Sequence, residues 1–479
     1  MSPGPTTEES ASPNIAQERY GFPKQGKYSL SYWLQGVQRD PLLNYRSTPE
    51  FPSSVDIVVI GSGMTGTLVA KHCIETWPEK SVVVLEAREF CSGATGRNAG
   101  HCKPDQWRGF TDYEKTFGTE QALKILENEQ QTWSALVKYV QENNIDCDLW
   151  VGDTLDVPVT PEVADATKKN FERFKAVGGK VDHIKVTHDP PIAAEISRIR
   201  DALACYAWPA STLYPWKLTA HIMRENLEKG VNLQTRTKVT SVIGSPKYPE
   251  KWVVKSERGD IECSHVVHAT NAYSSALEPS LRGLISPSPH MCDRIVPPVT
   301  FVGSASLENS YGVLLPDGGL FSINPRSTAE GSVLFGGSNP GQREFEQWLQ
   351  EHPERCIDDG MLGFESVTKA VQTFAESQIV GWNAKFIDHS WSGIIALSAD
   401  GVPFVGQLPG LSGQWVCAGH HGHGMARIFT AAPGLVKLMS GSSWAETKLP
   451  EVFQLTRSRI SRLTKLFKKE ERIEVHPRL

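Results

Sequence analysis

The strongest constraint on the fold of this chain is a glycine-rich turn that links an apolar strand to a helix. The strand VDIVVI is followed by Gly61, Gly63 and Gly66 at the spacing G-x-G-x-x-G. A helical stretch and a second apolar strand, SVVVL, come next, and Glu86 follows that strand about 20 residues after the last glycine. This order predicts a βαβ unit at the start of a mostly parallel sheet.

The same turn is suited to hold the pyrophosphate of a dinucleotide. Glycines permit a tight turn, a close approach of backbone to phosphate and close packing of helix on strand. The helix N-terminus offers free N–H groups and a partial positive charge, and the carboxylate of Glu86 can bind the ribose hydroxyls. We therefore predict a dinucleotide site; a glycine-rich turn with a purely structural role is the alternative.

Composition narrows the class of protein. The 479 residues are enough for two or three domains, and the net charge of −5 gives no reason to expect a nucleic-acid partner. No apolar run is long enough to span a bilayer, and the polar start MSPGPTTEESASPN predicts a disordered arm rather than a signal peptide. The nine cysteines show no pairing rhythm and no zinc-like spacing. We therefore expect buried free thiols, no metal site and a cytoplasmic enzyme.

Later segments indicate which dinucleotide binds. The loop SGATGRNAG (92–100) consists largely of glycine and other small residues, so its backbone can lie against a flat ring. A nicotinamide enzyme does not need such a loop at this place. The segment HVVHATNAY (265–273) predicts a strand that returns to the sheet and ends in a turn of small residues. Near the C-terminus, DGVPFVG (400–406) and AGHHGHGM (418–425) precede an apolar helix that ends near residue 439.

In this order, the segments resemble those of the D-amino-acid-oxidase-like FAD oxidoreductases, which include glycine oxidase, sarcosine oxidase and gamma-glutamylputrescine oxidase. The resemblance also rests on ALACYAWPASTLYPWKL (202–218), spans about residues 30 to 440 and is greatest for the gamma-glutamylputrescine oxidase group. It implies an α/β fold, α+β overall. A Rossmann-like FAD-binding domain, discontinuous in sequence, would be joined to a substrate domain with a mixed, mostly antiparallel sheet.

On this fold the chain divides into five parts. We expect an N-terminal arm at 1–50, an FAD-binding domain from 51–110, 205–275 and 390–442, a helical insertion at 111–204, a substrate domain at 276–389 and a C-terminal tail at 443–479. Short extended runs predict strands of the substrate domain at 296–302, 311–315 and 332–336.

The predicted FAD contacts are the positions that match the family's segments. They are Gly61, Gly63, Met64, Thr65, Gly66, Glu86, Ala87, Arg88, Gly93, Ala94, Thr95, Arg97, Asn98, Ala99, Gly100, Val239, Ala269, Thr270, Asn271, Gly401, Gly422, His423, Gly424 and Met425. The residues that tether FAD covalently in some relatives correspond to Gly393 and Arg97 here. We therefore expect non-covalent FAD, with a tether through His101 or Cys102 as the alternative.

The resemblance implies that a hydride leaves the carbon next to an amine nitrogen and that O₂ reoxidises the flavin to give H₂O₂. Backbone N–H groups at 422–425 would stabilise the negative charge of the reduced flavin, so no dedicated catalytic base is expected. A flavin dehydrogenase with a different electron acceptor, acting on a specialised metabolite or an amino acid, is one alternative. A flavin-binding protein without turnover is another.

One position bears on the substrate. In glycine oxidase an arginine in the segment W-x-G-x-R holds the substrate carboxylate, whereas the matching segment here is WSGII, with Ile395 in that place. Isoleucine cannot pair with a carboxylate, so a simple amino acid held in that manner is disfavoured, and an amine, or an amino acid oriented otherwise, is favoured. Arg294 and Arg326 are candidates for a substitute anion site. The candidates for the substrate cavity are His420, His421 and Trp391, with Tyr273; packing beneath the flavin is the alternative for both aromatic residues.

The C-terminal tail carries two further signals. The basic segment RSRISRLTKLFKK (457–469) has Ile460, Leu463 and Phe467 on one helical face, which predicts a helix docked on the enzyme body rather than on a membrane surface. The last three residues, PRL, are similar to a peroxisomal import tripeptide, and a peroxisomal location is the alternative to the cytoplasm.

Overall fold

Two large β-sheets organise this computed structural model, which describes residues 19–26, 28–383 and 387–475. The described strands are β1 (Ile57–Ile60), β2 (Val82–Leu85), β3 (His101–Cys102), β4 (Trp150–Pro158), β5 (Lys185–Thr187), β6 (Cys205–Thr212), β7 (Asn232–Gln234), β8 (Val239–Gly244), β9 (Trp252–Ser256), β10 (Gly259–Cys263), β11 (His265–His268), β12 (Ile285–Ile295), β13 (Ser310–Leu314), β14 (Leu320–Pro325), β15 (Val333–Gly336), β16 (His389–Ser398), β17 (Phe404–Gln407) and β18 (Gln414–Ala418).

Helices cover both sheets and connect their strands. The described α-helices are α1 (Tyr32–Gln35), α2 (Met64–Thr76), α3 (Phe110–Phe117), α4 (Thr119–Glu142), α5 (Pro161–Ala176), α6 (Pro190–Ser197), α7 (Pro215–Glu228), α8 (Ser274–Leu277), α9 (Pro340–Glu351), α10 (Glu365–Gln378), α11 (Ile428–Met439), α12 (Trp444–Thr447) and α13 (Arg457–Val475). None of the helices in the described ranges combines the length and the apolar character that crossing a bilayer requires.

The first sheet has six strands in the order β17-β18-β11-β1-β2-β7, and its core is parallel. Strand β1 pairs in parallel with both β2 and β11, and every residue of β1 and β2 is buried, as expected of a sheet covered on both faces. Helix α2 connects β1 to β2. The strands expected at 55–60, 81–85 and 265–269 are therefore confirmed, and their carboxyl ends share one edge of the sheet.

The second sheet has nine strands. Its order is β16-β12-β15-β14-β13-β4-β6-β3, with β5 paired to β6. All of its pairs are antiparallel except β13 with β4. A smaller antiparallel sheet, β10-β9-β8, completes the strands. The expected fold class, a Rossmann-like sheet joined to a mixed and mostly antiparallel one, is confirmed.

Several boundaries within this fold need correction. The segment 111–204 is not purely helical, because it contributes β4 and β5 to the nine-stranded sheet. Strands β6 and β16, which we assigned to the FAD-binding domain, belong to that sheet too. The run 296–302 forms no strand and contains a 3₁₀ turn (Val299–Phe301), whereas the other two runs form β13 and β15. Strand pairing between distant segments leaves no local pattern that would have shown this.

The chain before residue 50 is more than an arm. Residues 1–18 lie outside the described residues, but Trp33 is fully buried in the core and Ser29 bonds the backbone of Asp359. At the other end, α13 docks on the body as expected: Leu463 is buried, and Arg459 pairs with Asp400 at 2.7 Å. The tripeptide at 477–479 lies outside the described residues. All nine cysteines are buried free thiols.

A buried ionic network joins the two sheets. Asp359 accepts two hydrogen bonds from the Arg88 guanidinium, both at 2.9 Å, and lies 3.2 Å from Nε of Arg97. Arg97 also donates to the backbone carbonyls of Ser29 (2.7 Å) and Ser392 (2.9 Å). Because Arg88 and Arg97 lie in the loop after β2 while Ser392 lies on β16, the network fixes this loop against the nine-stranded sheet.

One buried carboxyl makes the stability of the fold depend on pH. Asp293 on β12 is 1% exposed, and its Oδ2 atom has no hydrogen-bond partner among the described residues. Burial raises the pKa of Asp293 to about 6 from 3.8, although a hydrogen bond from Ser390 acts the other way. The protonated Asp293 carboxyl therefore stabilises the folded state relative to the ionised one. This contribution to the unfolding free energy is lost as the pH rises through about 6.

We predict that Asp293→Asn removes this pH dependence. Between pH 4 and pH 7.5, wild type should lose roughly 2–3 kcal/mol of unfolding free energy relative to the variant, since one pKa unit corresponds to about 1.4 kcal/mol. Denaturant unfolding at several pH values measures the difference. Asp146→Asn is the control, because the Asp146 side chain is 92% exposed. Parallel pH profiles for wild type and Asp293→Asn would contradict the prediction.

Candidate functional site

A cavity of about 610 Å³ lies where the carboxyl ends of β1, β2 and β11 face the nine-stranded sheet. Residues of the turn after β1, of the loop 93–99, of the turn 269–273 and of the C-terminal turn 420–426 line one side. Residues of β12 to β15 line the other. Chain segments far apart in sequence therefore meet at one concave site, as in most small-molecule sites.

The turn after β1 is shaped by two glycines. A Cβ atom on Gly66 would lie 1.8 Å from the carbonyl oxygen of Gly61, and one on Gly61 would lie 2.7 Å from that of Ala269. Only glycine lets α2 approach the sheet this closely. The helix consequently begins at Met64 on the cavity edge, and its first N–H group donates to Thr95 Oγ1 at 3.0 Å.

The carboxylate of Glu86 is held in a fixed orientation beside this turn. One oxygen accepts from the N–H of Ser62 (3.0 Å) and from its hydroxyl (2.7 Å), and the other accepts from the N–H of Arg88 (3.0 Å). Glu86 also lines the cavity. The acid thus ties β2 to the glycine turn and presents a carboxylate edge at the place where we predicted a ribose.

The loop 93–99 turns its backbone toward the cavity. Gly93 lines the cavity, and a Cβ atom on it would meet nothing within 4 Å. Gly96 has the opposite role, because its Cβ atom would lie 2.3 Å from the carbonyl oxygen of Cys91. One glycine leaves room at the site, and the other permits the tight fold of the loop.

A buried carboxylate holds the C-terminal turn in place. Glu129 on α4 accepts from Nε of Arg427 (2.9 Å) and from the N–H of Asp105 (2.7 Å), and it lies 3.3 Å from Nδ1 of His423. Burial disfavours its charge, but His423 and Arg427 outweigh burial, and the pKa of Glu129 falls to about 2. The ionised acid therefore positions His423 at the cavity wall.

Four other histidines of the cavity are neutral at pH 7. Burial and the nearby Arg427 lower the pKa of His420 to about 3 and that of His421 to about 4. Burial likewise lowers the pKa of His101 and of His290 to about 4. Their imidazoles offer hydrogen-bonding atoms without positive charge, so they do not repel a cationic ligand.

Most residues predicted from the sequence meet at this cavity. The lining includes Gly61, Gly63, Met64, Thr65, Glu86, Ala87, Arg88, Gly93, Ala94, Thr95, Arg97, Asn98, Ala99, Val239, Ala269, Thr270, Asn271, His420, His421, Gly422, His423, Gly424 and Met425. Tyr273 lines it as well, and its buried hydroxyl has no partner in the described chain. Their role as FAD contacts remains a prediction.

Four predicted site residues lie elsewhere. Gly66 and Gly100 serve close packing: a Cβ atom on Gly100 would lie 2.7 Å from the ring of Trp33. Gly401 lies behind the site, where its carbonyl accepts from Arg427 at 3.0 Å. Trp391 is fully buried in the core, and its indole donates to the carbonyl of Arg97 at 2.8 Å. The spacing placed these residues near the cofactor segments but could not tell which side of the backbone faces the cavity.

Both candidates for a substitute anion site are also corrected. Arg294 pairs with Asp388, and the fully buried Arg326 side chain pairs with Asp148 at 2.8 Å. Neither residue lines the cavity. Of the two candidate tethers, His101 lines it, whereas Cys102 is buried and donates to the carbonyl of Met425 at 3.3 Å.

Sequence reasoning missed several lining residues. Phe22 and Pro23 come from the segment that we predicted to be an arm, and Lys103 and Arg108 lie between β3 and α3. The nine-stranded sheet adds Ser288, His290, Tyr311 and Ser322, and helix α9 adds Glu346. Isolated side chains of these types carry no local signal, because only the folding of the sheet brings them together. No group of three or more metal-ligating side chains is present in the described ranges.

The comparisons with known proteins agree with this arrangement. A model of the DAO family, described as FAD dependent oxidoreductase, matches residues 56–439. The chain is 23% identical to the gamma-glutamylputrescine oxidoreductase of Escherichia coli (strain K12) over 405 residues, 81% of this chain and 84% of that protein.

Two solved structures have a similar fold. The glycine oxidase of Geobacillus kaustophilus gives a TM-score of 0.65 at 18% identity and covers 85% of this chain and 99% of its own. An L-amino acid deaminase of Proteus vulgaris, with its specific insertion sequence deleted, gives 0.62 at 17% identity and covers 88% and 99%. At these identities the similarity shows the fold alone.

The cavity fits FAD on grounds of its own chemistry. The N-terminus of α2 suits a pyrophosphate, Glu86 suits ribose hydroxyls, and the open position at Gly93 suits a group that lies directly against backbone. These residues and the turn 420–426 would hold the cofactor.

We predict that Gly93→Ala weakens FAD binding without destabilising the protein. The added methyl group meets no protein atom within 4 Å but enters the cavity. The dissociation constant of FAD should rise about tenfold or more, the effect of losing about 1.4 kcal/mol of binding energy. Titration of apoprotein with FAD measures it.

Gly244→Ala is the matched control, because its Cβ atom also meets nothing within 4 Å and Gly244 does not line the cavity. Both apoproteins should melt within about 2 °C of wild type. Equal FAD affinity in wild type and in both variants would show that Gly93 does not face the cofactor.

Proposed function

The chain belongs to the family of FAD-dependent oxidoreductases, and from this premise we propose that it oxidises an amine to an imine. The C–H bond next to the nitrogen and one N–H bond are lost, two electrons leave the substrate, and O₂ is reduced to H₂O₂. Bound FAD supplies the two-electron acceptor for this chemistry. The protein supplies the remaining requirements, which are a cavity of suitable shape and charge and the exclusion of water from it.

The observation that carries the proposal is the wall around Ile395. This residue lies on β16 opposite Ser288 of β12, and both line the cavity with the apolar neighbours Ile394, Ala396 and Leu397. The resemblance places the carboxylate-binding arginine of glycine oxidase at this point. An apolar wall cannot stabilise an α-carboxylate, but it can pack against the carbon chain of an amine.

The neutral imidazoles support the same substrate class. His420 and His421 line the cavity, and burial keeps the pKa of each far below 7. Nδ1 of His421 accepts the N–H of Ser398 at 3.1 Å, so its proton resides on Nε2. Nδ1 of His420 is buried and has no partner in the described chain, and Nε2 lies 3.4 Å from Oγ1 of Thr65. A neutral ring at this place does not repel an ammonium group.

The fixed charges of the C-terminal turn support an electron-accepting site. Glu129 and Arg427 form a buried pair beneath the turn, and His423 lies between Glu129 and the cavity. The backbone of 422–425 therefore has a defined position, and oriented N–H groups of this kind stabilise negative charge that develops nearby. We infer that this turn favours the reduced state of the cofactor.

Anaerobic mixing tests the proposal. We predict that amines bleach the visible flavin band of the FAD-loaded protein, whereas glycine and D-alanine do not, because no guanidinium stands at Ile395. Admission of air should restore the band with release of H₂O₂. Bleaching by glycine or D-alanine but by no amine would contradict the proposed substrate class. Bleaching by an amine without H₂O₂ on admission of air would contradict O₂ as acceptor.

We further predict that Ile395→Arg gives the protein activity toward glycine. A guanidinium at this place would bind the α-carboxylate bidentately and should raise kcat/KM for glycine at least about tenfold, a gain of about 1.4 kcal/mol. Ile395→Leu is the control and should leave both activities within about twofold of wild type. If kcat/KM for glycine is the same in Ile395→Arg as in wild type, Ile395 does not face the substrate.

A further inference from the structure

Two basic side chains stand on the part of the cavity wall that belongs to the nine-stranded sheet. Lys103 and Arg108 lie in the segment between β3 and α3, and both line the cavity. The Lys103 side chain is only 12% exposed, and its Nζ atom lies 4.9 Å from the ring centre of Trp208. Lys103 is therefore not a solvated surface cation, whereas the Arg108 side chain is 31% exposed.

A single buried acid holds both of them. Asp156 on β4 is fully buried and accepts from Nζ of Lys103 at 2.6 Å and from Nη1 of Arg108 at 3.3 Å. One carboxylate therefore serves two basic side chains. Burial lowers the pKa of Lys103, and the negative charge of Asp156 acts the other way. Because Asp156 does not line the cavity, the cations lie between it and the ligand space.

Each cation keeps donors that Asp156 does not use. An ammonium has three N–H bonds and a guanidinium has five. In the described ranges Asp156 is the acid that pairs with both residues. Gly312 lets the ion pair pack directly against the backbone of β13, since a Cβ atom there would lie 2.4 Å from Oδ1 of Asp156 and 3.0 Å from Nζ of Lys103. Spare N–H groups at a cavity wall are what a carboxylate needs in order to bind.

The neighbouring acids are bound to other groups. Asp105 accepts the N–H groups of Gln106 (2.8 Å) and Gly109 (3.1 Å), and Glu129 pairs with Arg427. The remaining Lys and Arg side chains of the cavity lining also have partners: Arg88 and Arg97 share Asp359, and Lys238 pairs with Glu257. Lys103 and Arg108 therefore share the one acid and have unused donors at the cavity.

We propose that Lys103 and Arg108 form an anion-binding subsite, and that the amine oxidised by this protein carries an acidic group that binds there and not beside Ile395. The subsite adjoins β3 and β4, whereas Ile395 lies on β16; β3 and β16 are the two ends of the strand order in the sheet. An anion bound here would therefore contact a different segment of the cavity wall from Ile395, where the resemblance places the carboxylate-binding arginine of glycine oxidase. The substrate assignment rests on the proposed function; the subsite does not.

Binding of sodium butyrate to the FAD-loaded protein tests the subsite. Butyrate has the acid but no amine, so it cannot be oxidised. Lys103→Met and Arg108→Met should each raise its dissociation constant about ten- to a hundredfold, the loss of one charge-assisted hydrogen bond. Calorimetric titration and the shift of the flavin spectrum report the binding. Lys138→Met is the control, because the Lys138 side chain is 72% exposed.

Two further variants separate charge from folding. Lys103→Arg retains the positive charge and should bind butyrate within about threefold of wild type. The double variant Lys103→Met/Asp156→Asn removes the acid together with the lysine, so no buried carboxylate loses a partner. We expect this variant to bind butyrate as weakly as Lys103→Met does. If both single Met variants bind butyrate as tightly as wild type, or if wild type does not bind it, the subsite is wrong.

The substrate class is tested with a matched pair, 5-aminopentanoate and pentylamine. In wild type kcat/KM should be at least about tenfold higher for the acid, and Lys103→Met should abolish the difference. Equal values in wild type would overturn the substrate assignment and leave the proposed amine oxidation intact. Butyrate binding that depends on Lys103, with no amine able to bleach the flavin, would support the subsite and contradict the proposed function.

Discussion

The contact between helix α2 and the turn after β1 determines where everything else at the cavity lies. A side chain on Gly66 would place its first carbon 1.8 Å from the Gly61 carbonyl, so helix and strand touch through bare backbone. This brings the start of the helix to the carboxyl edge of the parallel sheet, where its N–H groups and dipole favour an anion. Glu86 and Thr95 accept hydrogen bonds from the same turn, and both form part of the cavity wall.

Buried charges connect this site to the opposite wall. Asp359 pairs with Arg88 and Arg97 of the loop after β2, and Arg97 in turn donates to Ser392 on β16. Glu129 with Arg427 supports the C-terminal turn, and Asp156 holds Lys103 and Arg108. Removing one partner of such a pair typically costs about 3–5 kcal/mol, because the other charge stays buried alone. These pairs therefore specify the shape of the cavity more than they add to the stability of the chain.

The sequence predicted the elements whose signal is local and missed those that depend on distant pairing. The βαβ unit and β11 follow from local patterns of apolar residues and glycines, and the resemblance adds the turn at 420–426; residues at the ends of these segments line one side of the cavity. Strands β4, β6 and β16 were misassigned because the strands that pair with them are distant in the sequence. The same reason hid Lys103, whose partner Asp156 is on β4, and it made Trp391 look like a wall of the cavity.

The most direct test of the account is the fate of the colour when the purified protein is denatured in acid. A cavity built from these glycine turns, with Cys102 buried and Gly393 and Arg97 at the tethering positions of relatives, should hold one FAD per chain without a covalent bond. The account predicts a yellow protein whose FAD passes entirely into the supernatant. A colourless protein that refuses FAD and binds NAD would contradict the central claim.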